Sequence, residues 1–273
     1  MATAIQIDPP TEAVRVDDHR LEYRWFGARA LKAPVLVFLH EALGSAGLWR
    51  DFPAALADAT GLPAMAYSRR GFGGSDPRHL PLPTDYLDAE ADRALPGILA
   101  ALGIRRPILV GHSDGATIAL MHAGSARGQE VAGVVVEAPH VFVEEETLAG
   151  IREALPAYRG GLRDRLLRHH GEQTDAVFHG WHDTWQTAEF RNWNCLDRLP
   201  RITCPTLVIQ GEGDQYGTRK QLDAIAGAVA GRVETIMLPD CGHSPHRDRR
   251  DAVLPMMARF VRDLPVPSEI SRG

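Results

Sequence analysis

Two hydrophobic patterns alternate along the chain. Short, unbroken apolar runs rich in branched residues recur as "PVLVFLH" (34–40), "PAMAY" (63–67), "PILVG" (107–111), "GVVVEAP" (133–139), "PTLVIQG" (205–211) and "VETIMLP" (233–239). Runs this short, with no polar alternation, predict strands buried on both faces. Between them lie amphipathic segments of helical spacing at 48–59, 86–102, 116–126, 219–229 and 252–264, the second interrupted at Pro96 and Gly97. Two earlier stretches, "EAVRVDD" and "RLEYRWFG", alternate polar with apolar and predict an antiparallel hairpin at a sheet edge. Strand alternating with helix predicts the α/β class: a mostly parallel central sheet with helices on both faces. Ligands in such sheets bind beyond the carboxyl ends of the strands.

One region breaks the alternation. From 141 to about 200 no strand-like run occurs. The segments "EEETLAGIREAL" and "GGLRDRLLRHHG" are helical in pattern, and Trp181, Trp185 and Trp193 are three of the chain's five tryptophans. The expectation is a core domain of 1–140 and 201–273, with 141–200 inserted as a helical cap over the strand ends. The tryptophans suit either a pocket for an apolar group or the pinning of cap to core.

Composition narrows the partners. At 273 residues with 44% hydrophobic content, the chain can bury a sizeable core. The net charge is −5 and no Lys/Arg tract stands out, so nucleic acid and acidic membrane surfaces are not expected partners. No stretch approaches the ~18 consecutive apolar residues of a membrane span. The first residues, "MATAIQIDPPTEAVRVDD", have early acids and prolines and no apolar signal core. Cys195, Cys204 and Cys241 are odd in number and far apart, with no CxxC pair. Together these predict a cytoplasmic protein with reduced thiols acting on a small molecule. A homo-oligomer is compatible with the sequence.

The stretch "ILVGHSDGAT" (108–117) carries the chemistry. An apolar strand runs into Gly111-His112-Ser113-Asp114-Gly115 and out into a small-residue helix. A G-x-S-x-G sequence between strand and helix is the setting of a nucleophile elbow. Such a turn is sharp, so its neighbours must be small. The helix N-terminus beneath the serine offers free N–H groups to a developing anion. The plainer alternative is a helix-capping serine in a glycine-rich turn.

A serine hydroxyl needs a base held by a third group. After "TLVIQG" comes "EGDQYG", with Asp214 in a polar turn; after "VETIMLP" comes "DCGHSPHRD", with His243 in a glycine turn. Ser113, Asp214 and His243 thus stand in the chain order serine, acid, histidine. Glu212 and Asp240 are alternative acids, and His246 competes with His243. An oxyanion hole requires the N–H after the nucleophile, that of Asp114, and one from the loop after an earlier strand. In "FLHEALGS" the candidate is Ala42, with Glu41 the alternative. Glu41, His40, Trp181 and Trp185 are candidate pocket residues. No metal is expected: His179 with His182, and His243 with His246 and Asp248, lack further ligands at convincing spacing. Cys241 has no elbow and reads as a structural thiol.

In "FLHEALGS", "YSRRGFGGSD" (67–76), "VGHSDG", "QGEGDQYG" and "CGHSPHRD" the chain resembles the α/β-hydrolase superfamily over nearly its whole length. The resemblance implies that fold with a cap at 141–200, a structural loop at "SRRGFGGSD", and a serine hydrolase without a cofactor. The implied reaction is hydrolysis of a small carboxylic ester or thioester through an acyl-enzyme. Two departures stand out. The superfamily usually has His-Gly where this chain has His40-Glu41, and its carbon–carbon bond hydrolases of ring-cleavage products often have an aromatic residue where this chain has Ser244. That second activity remains an alternative, and it predicts a cap cation such as Arg152, Arg159 or Arg191 facing a substrate carboxylate. Dehalogenases and epoxide hydrolases of the fold carry aspartate at the elbow, against which Ser113 argues. A non-catalytic ligand-binding member would need a broken triad.

Overall fold

A computed structural model describes residues 9–29, 31 and 33–265. Residues 1–8, part of the stretch read for a signal, and 266–273, the tail of the expected core domain, lie outside the described residues.

The strands are β1 (Thr11–Val16), β2 (His19–Phe26), β3 (Val35–Leu39), β4 (Ala64–Tyr67), β5 (Pro107–His112), β6 (Gly133–Glu137), β7 (Thr206–Gly211) and β8 (Val233–Leu238). They form one sheet in the order β1-β2-β4-β3-β5-β6-β7-β8. β1 and β2 make the expected antiparallel edge hairpin; from β4 to β8 every pairing is parallel. β3 to β7 are buried at every position, as their unbroken branched runs predict. β8 departs from that expectation. It is the far edge strand and only half-buried, and Glu234 on it pairs with Arg259 at 3.1 Å and Arg232 at 3.6 Å. With one neighbour instead of two, an edge strand keeps polar groups at its border and discourages further pairing.

The helices are α1 (Phe52–Thr60), α2 (Tyr86–Ala89), α3 (Leu95–Ala101), α4 (Asp114–Ala123), α5 (Glu145–Ala157), α6 (Arg163–His170), α7 (Thr174–Trp185), α8 (Arg219–Ala228), α9 (Pro245–Asp248) and α10 (Arg250–Arg262). Alternate residues of each strand serve opposite faces. Val35, Val37 and Leu39 belong to the core on the face covered by α3, α4 and α8, whereas Leu36 and Phe38 belong to the core on the other face, with Phe52 and Leu56 of α1 and Val253, Met257 and Phe260 of α10. The expected break at Pro96 and Gly97 is not a break. A wide turn at Glu90–Ala94 joins α2 to α3, and Pro96 falls in the first turn of α3, where a missing N–H costs little.

The chain leaves β3 toward β4 and returns to place β5 on β3's other side. The reversal makes the carboxyl ends of β3 and β5 a topological switch point, where open α/β sheets form their ligand crevice. Helices α5, α6 and α7 occupy the connection between β6 and β7. Its two ends are tied by a bridge between Phe142 and Asn194 and by the Cys195 N–H donating to the Val141 carbonyl at 2.9 Å.

Candidate active site

Between β5 and α4 there is one residue, Ser113, at φ 53° and ψ −118°. A non-glycine residue held left-handed costs about 1–3 kcal/mol and persists only where its surroundings over-determine it. Here the Ser113 N–H donates to the Glu137 carbonyl at 2.9 Å, and the Thr117 N–H donates to the Ser113 carbonyl at 2.9 Å. The flanking glycines are steric necessities. A Cβ on Gly111 would strike the backbone of Gly115 and Ala116, and one on Gly115 would strike the Leu39 carbonyl.

Asp214 follows β7 and His243 follows β8, each in the loop that leaves the strand's carboxyl end. His243 Nδ1 lies 2.8 Å from Asp214 Oδ1, which also accepts the Tyr216 N–H at 2.8 Å; Gln210 Nε2 donates to Oδ2 at 3.3 Å. Burial opposes ionisation of Asp214, but these donors, with the His243 hydrogen bond foremost, hold its carboxyl below the usual range. Glu212 and Asp240 are exposed and hold no bond to His243. His246 is turned the other way, its Nδ1 2.6 Å from Glu137 Oε2 in a buried pair.

Ser113 and His243 face a common cavity of about 390 Å³, which Ala42 and Asp114 also line. The backbone N–H groups of Ala42 and Asp114 have no protein acceptor among the described residues. Two free donors therefore flank the serine at a helix N-terminus, an arrangement suited to an oxyanion. The Asp114 carboxylate points elsewhere. It accepts the Tyr86 hydroxyl at 2.8 Å, lies 3.5 Å from the buried Arg69 guanidinium, and is linked through Tyr86 to Trp185 Nε1 at 2.9 Å. That chain of contacts couples the serine turn to α7.

Of the expected pocket residues, Glu41, Trp181 and Trp185 line the cavity. His40 does not, which corrects the expectation. It is fully buried beneath the loop: Nε2 accepts the Arg69 N–H at 3.1 Å, which leaves Nδ1 to donate to the Glu41 carbonyl at 2.7 Å. Burial and the Arg69 charge keep its imidazole neutral. Trp193 also stays out of the cavity and stacks on Phe190 at 5.5 Å. The tryptophans thus divide between both expected uses, with Trp185 serving each.

Three features were not foreseen. His112, inside the serine motif itself, binds the His243 carbonyl with Nε2 at 2.6 Å and turns Nδ1 toward Glu41 Oε2 at 3.7 Å. Burial opposes charge on both, yet their proximity holds the Glu41 carboxyl well below its usual range and raises the His112 imidazole. His140, three residues past β6, lines the cavity 5.9 Å from the His243 ring, and burial pushes its imidazole down to about 4. It is therefore uncharged near neutral pH and adds no repulsion to a protonated His243. Both histidines stand at strand carboxyl ends, a placement rule that singles out such positions from sequence. The third is a set of arginines, Arg50, Arg165, Arg168 and Arg247, on the cavity wall. Cys241 is buried with its thiol pushed up to about 11 by burial, consistent with a structural role. His179 and His182 both bond Asp183, and no described group of three or more His, Cys, Asp or Glu is arranged to hold a metal.

The chain is similar to several known proteins. The human protein named serine hydrolase BPHL is 28% identical over 188 residues, a match covering 67% of this chain and 63% of that protein, less than two thirds of its length. Epoxide hydrolase A of Mycobacterium tuberculosis is 26% identical, with coverage of 93% and 98%. Among solved structures, the 2-hydroxy-6-oxo-6-phenylhexa-2,4-dienoate hydrolase of Rhodococcus sp. strain RHA1 superposes with a TM-score of 0.75 at 18% identity, covering 93% of this chain and 98% of that one. A model described as the alpha/beta hydrolase family matches residues 36–255, from β3 into α10 with the serine turn inside. The chain belongs to the alpha/beta hydrolase family.

Proposed function

We propose that the protein is a serine hydrolase cleaving a small carboxylic ester or thioester through an acyl-enzyme. One observation carries this reading: His243, bonded through Nδ1 to the buried Asp214 carboxylate at 2.8 Å, shares its cavity with a left-handed Ser113. With Nδ1 so engaged, Nε2 is the nitrogen left to take the Ser113 proton. Ser113 Oγ then attacks the carbonyl carbon, and the charge that develops on oxygen meets the N–H groups of Ala42 and Asp114. Loss of one such donor costs about 3–4 kcal/mol in comparable sites. His243 returns its proton to the leaving group, and a water that it activates hydrolyses the acyl-Ser113 ester. Asp214, ionised at neutral pH, holds the tautomer and stabilises the imidazolium.

In this reading residues 141–200 act as a cap and set substrate choice. The three unpaired cysteines, all buried, suit a cytoplasmic setting. Carbon–carbon bond hydrolysis is less well supported. Ser244 lines the cavity where such hydrolases often carry an aromatic residue; of the cap cations that reading predicts, Arg152, Arg159 and Arg191 do not line the cavity, Arg191 pairing with Glu145 instead, whereas Arg165 and Arg168 do.

The test is hydrolysis of p-nitrophenyl esters from acetate to octanoate, and of benzoate, by wild type and Ser113→Ala. Turnover that falls at least about a thousandfold in the variant is expected, with fluorophosphonate labelling confined to Ser113. An unlabelled Ser113 in folded protein would sink the proposal.

A further inference from the structure

The serine-hydrolase reading does not explain the cations on the cavity wall. Arg165 and Arg168 of α6, Arg50 after β3 and Arg247 of α9 all line it. The chain as a whole is acidic, at net −5, so this gathering runs against the average. Among the described residues, Arg50, Arg165 and Arg168 have no carboxylate partner. Arg247 has one at a distance, Glu41 Oε1 at 3.8 Å, while its guanidinium donates to the Leu48 carbonyl at 3.0 Å.

These charges converge. His169, also on the wall, has its imidazole held down by burial and then by Arg168, Arg50 and Arg247. Arg50 sits in a left-handed conformation at φ 53° and ψ −129°, a backbone strain that a non-glycine residue carries at a ligand site more readily than elsewhere. Like charges brought together on a wall repel, and a bound anion relieves that repulsion. The planar fork of a guanidinium in particular matches a pair of oxygens on a carboxylate or a phosphate. The same cavity is also lined by apolar residues, Ile151, Leu162, Leu166 and Trp181.

We propose that the substrate has an apolar body and a terminal anion, a carboxylate or a phosphate, bound by Arg50, Arg165, Arg168 and Arg247 while Ser113 meets its ester or thioester carbonyl. This rests on the serine-hydrolase reading for the reaction, but the anion site stands or falls separately.

Two measurements decide it. The first compares p-nitrophenyl butyrate with p-nitrophenyl hemisuccinate, in which a carboxylate replaces the terminal methyl. Wild type should prefer the anionic ester in kcat/KM by at least about tenfold at low salt, and the preference should shrink as salt rises. In an Arg165→Gln/Arg168→Gln variant the ratio should fall toward one, whereas Arg152→Gln, off the cavity, should leave it unchanged. A wild-type ratio at or below one, or a ratio the double variant does not move, overturns the proposal.

The second measurement needs no turnover. Calorimetric titration of adipate, the neutral and unhydrolysable 1,6-hexanediol and inorganic phosphate into the protein should show binding of an anion, none of the neutral diol, and loss of anion binding in the double variant. Adipate binding without phosphate assigns a carboxylate; phosphate without adipate assigns a phosphate; neither binding overturns the site. If Ser113 resists fluorophosphonate but the anion binds, the hydrolase reading fails and the anion site survives.

Discussion

The cavity has a floor and a roof built by different means. The floor is Ser113, Ala42, Asp114, His140 and His243, each on a turn at the carboxyl end of a strand or one residue into a helix. Main-chain geometry places them: a left-handed serine, glycines that admit no Cβ, and strand ends in fixed register. The roof is Ile151, Leu162, Arg165, Arg168, Trp181 and Trp185, from α5 to α7 and the turn joining α5 to α6. Side-chain packing places those, with the Trp185–Tyr86–Asp114 chain as a polar tie between the two. The floor is thus set by backbone constraints that few sequences satisfy, whereas many side-chain choices would close the roof. On the proposed function, reaction type belongs to the first and substrate choice to the second.

The sharpest way to break this division is at the floor. Asp214→Asn keeps the size of the side chain but replaces the carboxylate that fixes His243, so kcat should fall about ten-thousandfold. Because Asp214 is almost wholly buried, the amide must still find its partners. The Tyr216 N–H can donate to the amide oxygen, so the fold should persist by circular dichroism. A kcat within tenfold of wild type would remove Asp214 from the assigned role.

At the roof the expected effects are on stability and selection. Trp185→Ala empties a fully buried volume between α7 and the core and leaves the Tyr86 hydroxyl without its indole donor. It should cost about 3–5 kcal/mol, read as a lower urea midpoint. Trp181→Ala, at the cavity surface, should instead enlarge the pocket and move the preferred ester chain length upward. The rate of fluorophosphonate labelling at Ser113 should hardly change. If Trp181→Ala slowed labelling as much as Asp214→Asn, floor and roof would not be separable.

The same division explains what could be read from sequence. Strand identity followed from unbroken runs, and Ser113, Asp214 and His243 from their positions just beyond those runs, since burial on both faces and the elbow's sterics leave local signatures. β8 misled because an edge strand and a central strand share an apolar pattern when the edge is half-covered. His40 misled because its burial depends on Arg69, twenty-nine residues away, whose backbone N–H donates to Nε2 and turns the ring inward. The arginines of the wall come from three separate segments, and no local spacing announces that α6 faces α9. Pairings such as His246 with Glu137, separated by 109 residues, are equally silent in one chain.

The smallest expected effect concerns the residue that replaces the family's usual glycine. Glu41 is 19% exposed and pairs with His112, which in turn binds the loop carrying His243. The carboxyl's value is lowered from the ordinary 4.5, so its contribution is present above that pH and lost as pH falls through the folded value. The imidazole is raised from the ordinary 6.5, so its contribution is full below that pH and lost as pH rises through the folded value. The pair therefore stabilises most between about pH 4.5 and 6.5. Glu41→Gln should cost about 1–2 kcal/mol in that window and progressively less as the medium becomes alkaline, measured as urea unfolding of both proteins from pH 4.5 to 9. A difference that stayed flat or grew with rising pH would mean that His112 is neutral throughout. Glu41 would then be a wall group facing the arginines and no anchor for the His243 loop.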